Sequence, residues 1–206
     1  MTDDSCLPVH IPAGDRLTLA GDLAVPAAAR GGAVICHPHP AFGGDRHNTV
    51  VDALFRALPA RGLAALRFDF RPGADRDAGA AAADVVAALD RLVAAVGEAA
   101  PVWLAGYSFG GDVALSVADP RHRGWAVVAP PLRFGPGVAP AAGDPRPALV
   151  VVPEHDQYSP PAAARAATAG WPAAEVEVVG GADHFMAGYA GQAAGIVATW
   201  LAKANG

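Results

Sequence analysis

Apolar positions recur along this chain in two periods, and the periods alternate. The first segments follow period two: Leu17 and Leu19, then Leu23 and Val25, fall within 17–25, and a similar extended stretch covers 8–13. Gly14-Asp15 between them marks a hairpin turn. Ala33-Val34-Ile35-Cys36 is an unbroken apolar run bounded by Gly and Pro, the pattern of a strand buried on both faces. The period then switches. Val50, Val51, Leu54, Phe55 and Leu58 recur at helical spacing. Residues 63–70 read as a strand interrupted by Arg67 and Asp69, and Val85, Val86, Leu89, Leu92, Val93 and Val96 form a second helical stripe. Further strands are predicted over 102–105, 125–129, 148–152 and 176–179. Helices are predicted over 109–118 and 160–169, and a last one carries Ile196, Val197, Trp200 and Leu201. Pro120 sets the end of the first of these, because proline disfavours helical backbone at the residue before it. Pro160 suits a first helical turn.

Alternating strands and helices, with the strands apolar on both faces, predict an α/β fold. The expectation is a mostly parallel central sheet of about eight strands, helices on both faces, and two or three antiparallel strands leading it. The 206 residues show no internal repeat and are read as a single domain, 1–206, long enough to bury a stable core. The stretch 134–147 is rich in Gly, Pro and Ala but lies between two apolar strands, so it reads as an internal loop. No insertion is long enough for a lid domain.

Composition narrows the partners. Apolar residues make up 52% and charged residues 17%, which excludes a disordered chain. The net charge is −5 and no basic block occurs, which argues against a nucleic-acid partner. No apolar run reaches the roughly 20 residues of a membrane span. Residues 1–5 lack the cationic start and apolar core of a signal peptide, so a cytoplasmic location is expected. Cys6 and Cys36 make no disulfide framework and are expected to be unpaired.

In α/β sheets, functional residues gather at the carboxyl ends of the strands. Gly106-Tyr107-Ser108-Phe109-Gly110 matches G-x-S-x-G, with a strand before it and a helix after it, as the motif requires. Ser108 is the candidate nucleophile, and the amide of Phe109 is a candidate oxyanion donor. A serine hydroxyl needs a base held by a carboxylate. His184 follows the last strand and precedes the last helix, where such a base belongs. His10 and His122 are expected to be solvated or structural. Asp156 follows the strand at 148–152 and lies between Ser108 and His184, which gives the order Ser, acid, His; Glu154 is the second choice of acid. Asp183, directly beside His184, reads as a turn residue. A second oxyanion donor is expected from the loop after the third strand, Cys36-His37-Pro38-His39-Pro40-Ala41-Phe42-Gly43-Gly44. Its prolines have no N–H, which leaves His39, Ala41 and Phe42, with His39 favoured. His37 is expected to hydrogen-bond within this loop.

These pieces resemble the α/β-hydrolase superfamily, and within it a small branch without a lid related to dienelactone hydrolases. That branch carries HPHP followed by GG, an L-R-F-x-F-R strand, the G-x-S-x-G elbow, a P-P dipeptide, an acid loop and A-D-H-F. Here they are His37 to Gly44, Leu66 to Arg71, Gly106 to Gly110, Pro130-Pro131, His155-Asp156-Gln157 and Ala182 to Phe185. Two loops depart from the pattern, Pro72-Gly73-Ala74-Asp75-Arg76 and Pro153-Glu154. Dienelactone hydrolases proper use a cysteine nucleophile, so the resemblance implies the scaffold and not the substrate.

The expected activity is hydrolysis of a small to medium carboxylic ester or thioester through a Ser-His-Asp triad, with no cofactor and no metal. A serine peptidase or amidase of the same fold is the alternative. Metal-dependent chemistry on His37, His39, Glu154, His155 and Asp156, and a non-catalytic binding protein, are the others. Ser108 argues against dehalogenases and epoxide hydrolases, which need an aspartate nucleophile at the elbow. Phe42, Tyr107, Leu132, Tyr158 and Phe185, with Phe109, Phe134 and Met186, lie beside these motifs and are expected to line an apolar substrate pocket.

Overall fold

The computed structural model describes residues 6–14, 16–133 and 140–205; Asp15 of the hairpin and Phe134 of the expected pocket lie outside them. The eight strands are β1 (Cys6–Pro12), β2 (Thr18–Ala24), β3 (Gly32–Cys36), β4 (Ala64–Phe68), β5 (Val102–Tyr107), β6 (His122–Val128), β7 (Ala148–His155) and β8 (Ala174–Asp183). They form one sheet in the order β1-β2-β4-β3-β5-β6-β7-β8. β1 pairs antiparallel with β2, and β2 antiparallel with β4; every later pair is parallel. The chain runs from β3 outward to β4 and returns to the other side of β3 as β5. The strand order therefore reverses beside β3, and a crevice opens at the carboxyl ends of β3 and β5.

Among the described residues the helices are α1 (Thr49–Ala57), α2 (Ala78–Val96), α3 (Phe109–Leu115), α4 (Pro140–Gly143), α5 (Pro161–Thr168) and α6 (Ala190–Ala204). The period of two decides which face each strand residue joins. Val34, Leu66, Leu104, Val127 and Val150 pack with α2 and α3. Their neighbours Ile35, Ala65, Ala105, Val128 and Leu149 pack with α1 and α6 on the opposite face. Asn48 caps α1 by accepting from the amide of Val50, and Asp77 caps α2 by accepting from that of Ala80.

Several elements differ in extent from the sequence expectation. α2 begins at Ala78, because its first two turns are mostly alanine and small side chains show little periodicity. α3 stops at Leu115. β7 continues through Glu154 and His155, and β8 runs ten residues with Glu175 and Glu177 exposed on an alternating edge strand. α4 lies within 134–147 and buries Ala141 and Ala142. The two charges that interrupt the β4 region are internally paired. Arg67 donates from Nε to Asp22 and from Nη1 to Asp52, with its guanidinium over the Phe55 ring. Asp69 accepts from the backbone N–H and the guanidinium of Arg46. Cys6 and Cys36 are not joined in a disulfide, and Cys36 is fully buried, which pushes its thiol pKa far up, aided by Asp84.

Two backbone approaches fix the crevice. A Cβ on Gly110 would lie 2.4 Å from the carbonyl oxygens of both Cys36 and His37, and one on Gly44 would lie 2.2 Å from that of Pro38. Neither neighbour is a flexible side-chain end, so a methyl group forces α3 away from β3. Gly110→Ala is expected to cost about 1–3 kcal/mol, as overpacking does, read as a lower urea midpoint with an unchanged m-value.

Candidate active site

The strand-to-helix turn after β5 holds Ser108 at φ +52° and ψ −122°. A non-glycine residue here is strained and persists only where its surroundings hold it. They do so at three points. The Ser108 amide donates to Val128 O at 2.9 Å, its carbonyl accepts from the amides of Gly111 and Asp112, and Gly106 leaves no room for a side chain against Gly110. The hydroxyl is thereby lifted clear of the backbone.

Ser108 Oγ lies 3.0 Å from His184 Nε2. On the far side of the ring, Nδ1 lies 2.9 Å from Asp156 Oδ2. Both His184 and Asp156 are buried. The other oxygen of Asp156 accepts from the amides of Tyr158 and Ser159. Burial pushes the Asp156 carboxyl up, but the His184, Ser159 and Tyr158 hydrogen bonds together hold it below the usual range. With the carboxylate ionised, Nδ1 carries the proton and Nε2 is free to accept from the serine hydroxyl. The backbone of His184 is tied as well: Tyr107 donates its hydroxyl to His184 O at 2.8 Å, and Gln157 accepts from His184 N.

In the loop after β3, His37 Nδ1 pairs with Pro38 O and Nε2 accepts from the Phe70 amide. Both ring nitrogens of this buried side chain are thus engaged within the loop and its neighbour strand. The amide of Ala41 donates to the His39 ring, and that of Phe42 to the His39 carbonyl. Of the three candidate oxyanion donors, His39 is therefore the one whose amide is not drawn into the turn.

A cavity of about 410 Å³ opens over Ser108 and His184. His39, Phe42, Tyr107, Phe109, Tyr158 and Phe185 border it. Phe42, Tyr158 and Phe185 stand at its mouth, 86%, 59% and 65% exposed. Leu132 is not on the wall; its side chain packs on the cluster beneath α2 and α3. Met186 is buried in the opposite cluster. Glu154, the second choice of acid, accepts from the Gly181 amide at the end of β8. Asp183 accepts from the Phe185 amide, as a turn residue does. His122 is buried, where sequence reading allowed a solvated position; it lies under Arg146 and against Trp125. Among the described residues, no three His, Cys, Asp or Glu side chains gather into a group that could hold a metal.

The sequence reading passed over Asp112 and Arg133. Arg133 lines the cavity. It follows Pro130-Pro131 at the end of β6, and the strand-end rule that located Asp156 and His184 points to it equally. Asp112 is buried on α3 and accepts from the amides of Leu132 and Arg133. Burial pushes its pKa up to about 6 despite those bonds.

No family model and no curated protein matches this sequence. Solved structures do match. An α/β serine hydrolase homologue from Coxiella burnetii superposes with a TM-score of 0.80 at 27% identity, over 98% of this chain and 99% of that one. A serine hydrolase without a lid from Xanthomonas campestris gives 0.82 at 23% identity, over 98% and 96%. A dienelactone hydrolase from Anabaena variabilis gives 0.80 at 22%, over 95% and 96%. The last two speak to fold. The chain has the α/β-hydrolase fold without a lid. Its likeness is to lid-less serine hydrolase homologues and dienelactone-hydrolase-like proteins, the branch its motifs resemble.

The raised Asp112 pKa sets a pH dependence. The folded protein holds this proton from about pH 3.8 to about pH 6 and the unfolded chain does not, so this contribution to stability falls as pH rises through that window. The two limits correspond to a change on the order of 3 kcal/mol. The difference in unfolding free energy between wild type and Asp112→Asn, measured in urea across that range, is expected to fall with rising pH.

Proposed function

We propose that this protein is a serine hydrolase that cleaves a carboxylic ester or thioester of a small to medium substrate, with Ser108, His184 and Asp156 as its triad. The observation that carries the reading is the unbroken hydrogen-bonded line from Ser108 Oγ through His184 to Asp156, set on a strained turn under an open cavity.

Ser108 Oγ attacks the carbonyl carbon while its proton passes to His184 Nε2. Asp156 stabilises the imidazolium and fixes its orientation. The carbonyl oxygen becomes an oxyanion, met by the amides of His39 and Phe109, each worth about 3–4 kcal/mol in the transition state. The tetrahedral intermediate collapses by breaking the bond to the leaving alkoxide or thiolate, which takes the proton from His184. Water then attacks the acyl-enzyme with His184 as base, and a second collapse releases the acid and restores the Ser108 hydroxyl. The exposed aromatic rim and the absence of a long insertion suit a substrate that enters directly from solvent.

A fluorophosphonate is expected to add once to the intact protein, seen by mass, and not to Ser108→Ala. Asp156→Asn is expected to lower kcat by about four orders of magnitude while the fold persists, since the imidazole loses its orienting charge. Absence of an adduct on folded wild type would falsify the proposal.

A further inference from the structure

The cavity over Ser108 is apolar and aromatic around most of its wall, yet it carries one cation. Among the described residues that line it, Arg133 is the only Arg, Lys, Asp or Glu, in a chain whose net charge is −5. Among the described residues no ion pair holds its guanidinium, and residues 134–139, which follow it, include no acidic side chain. Asp112, 4% exposed, attracts the Arg133 charge through space but forms no ion pair with it, because its two oxygens accept from the amides of Leu132 and Arg133. That carboxylate pins the backbone from which Arg133 projects.

The loop is built at a cost. Ala129 sits at φ +46° and Leu132 at φ +54°. With Ser108 and Met186, they make four of the five described non-glycine residues with positive φ, and all four follow the carboxyl ends of β5, β6 or β8. Strain of this kind is retained where a position must be held. Here it holds a cation on the wall that also carries the nucleophile. An exposed guanidinium at the border of an open cavity offers planar, charge-assisted donors suited to carboxylate or phosphate.

Resting on the hydrolase reading above, we infer that Arg133 selects the substrate: the preferred ester or thioester bears an anionic group besides the scissile carbonyl. The aromatic mouth takes the apolar body of such a molecule, and Arg133 takes its carboxylate or phosphate.

The test compares p-nitrophenyl hydrogen glutarate with its neutral methyl ester, p-nitrophenyl methyl glutarate, on wild type, Arg133→Gln and Arg133→Lys. Wild type is expected to favour the anion by about tenfold or more in kcat/KM, carried by KM and shrinking with added salt. Arg133→Gln is expected to bring the ratio to about one, and Arg133→Lys to retain part of it, since lysine keeps the charge and loses the planar fork. A second pair, a glutaryl thioester of coenzyme A methylated at its free carboxyl and the matching N-acetylcysteamine thioester, isolates phosphate. Dependence on Arg133 in either pair supports the assignment and names the anion. Equal rates within both pairs in wild type, or a preference unchanged in Arg133→Gln, overturn it. Fluorophosphonate labelling of the same samples separates the two readings. Normal labelling without an anion preference removes the Arg133 role alone, whereas no labelling of any folded sample removes the hydrolase reading and this inference with it.

Discussion

The backbone of Ser108 is the constraint on which the rest of the site depends. Held at φ +52° between β5 and α3, it exists only because the surrounding chain leaves no alternative. Its amide is committed to β6, its carbonyl to the first turn of α3, and α3 is pressed so close to the end of β3 that only glycine fits at 110. That contact brings the loop after β3 alongside the serine. The oxyanion donors proposed from His39 and Phe109 thus come from two segments far apart in sequence, joined by one glycine contact.

Polar groups beneath the site follow the same logic of full commitment. Asp156 accepts three hydrogen bonds, Asp112 accepts two, and His37 uses both ring nitrogens. Arg46, Arg67, Asp22, Asp52 and Asp69 interlock behind the loop after β3. Arg71 and the fully buried Asp84 tie the chain after β4 to α2. Groups buried in this way are costly unless satisfied, and once satisfied they hold the strand ends in one arrangement. Arg133 differs from them: its backbone amide is held by Asp112, and its exposed side chain borders the cavity without an ion pair among the described residues. A catalytic site needs both kinds, a rigid frame and a few groups free to meet a ligand.

Much of this was legible in the chain. Alternating period marked the outer strands, and the central strands stood out because burial on both faces of a sheet leaves an apolar run. Boundaries were less legible where side chains carry little contrast. The alanine stretch that opens α2 has no stripe to read, and the exposed glutamates of β8 hide an edge strand more than twice the expected length. The candidates Ser108, Asp156 and His184 came from motif order, and the fold brings them within hydrogen-bonding distance in sequence. Leu132 looked like a pocket residue by its place next to Pro131, yet it packs, half-buried, against the core while its neighbour Arg133 borders the cavity.

The sequence by itself determined the layers, the elbow motif and the candidates Ser108, Asp156 and His184, because local periodicity and local backbone demands are written in consecutive side chains. Only the tertiary structure decided which groups remain free. Whether the His39 amide or that of Ala41 stays unengaged depends on a turn closed by the His39 ring itself. Whether Arg133 is a partner or a probe depends on Asp112, twenty-one residues away, spending its carboxylate on backbone amides. Availability of a polar group is settled by every neighbour that competes for it, and those neighbours are assembled only when the strands come together.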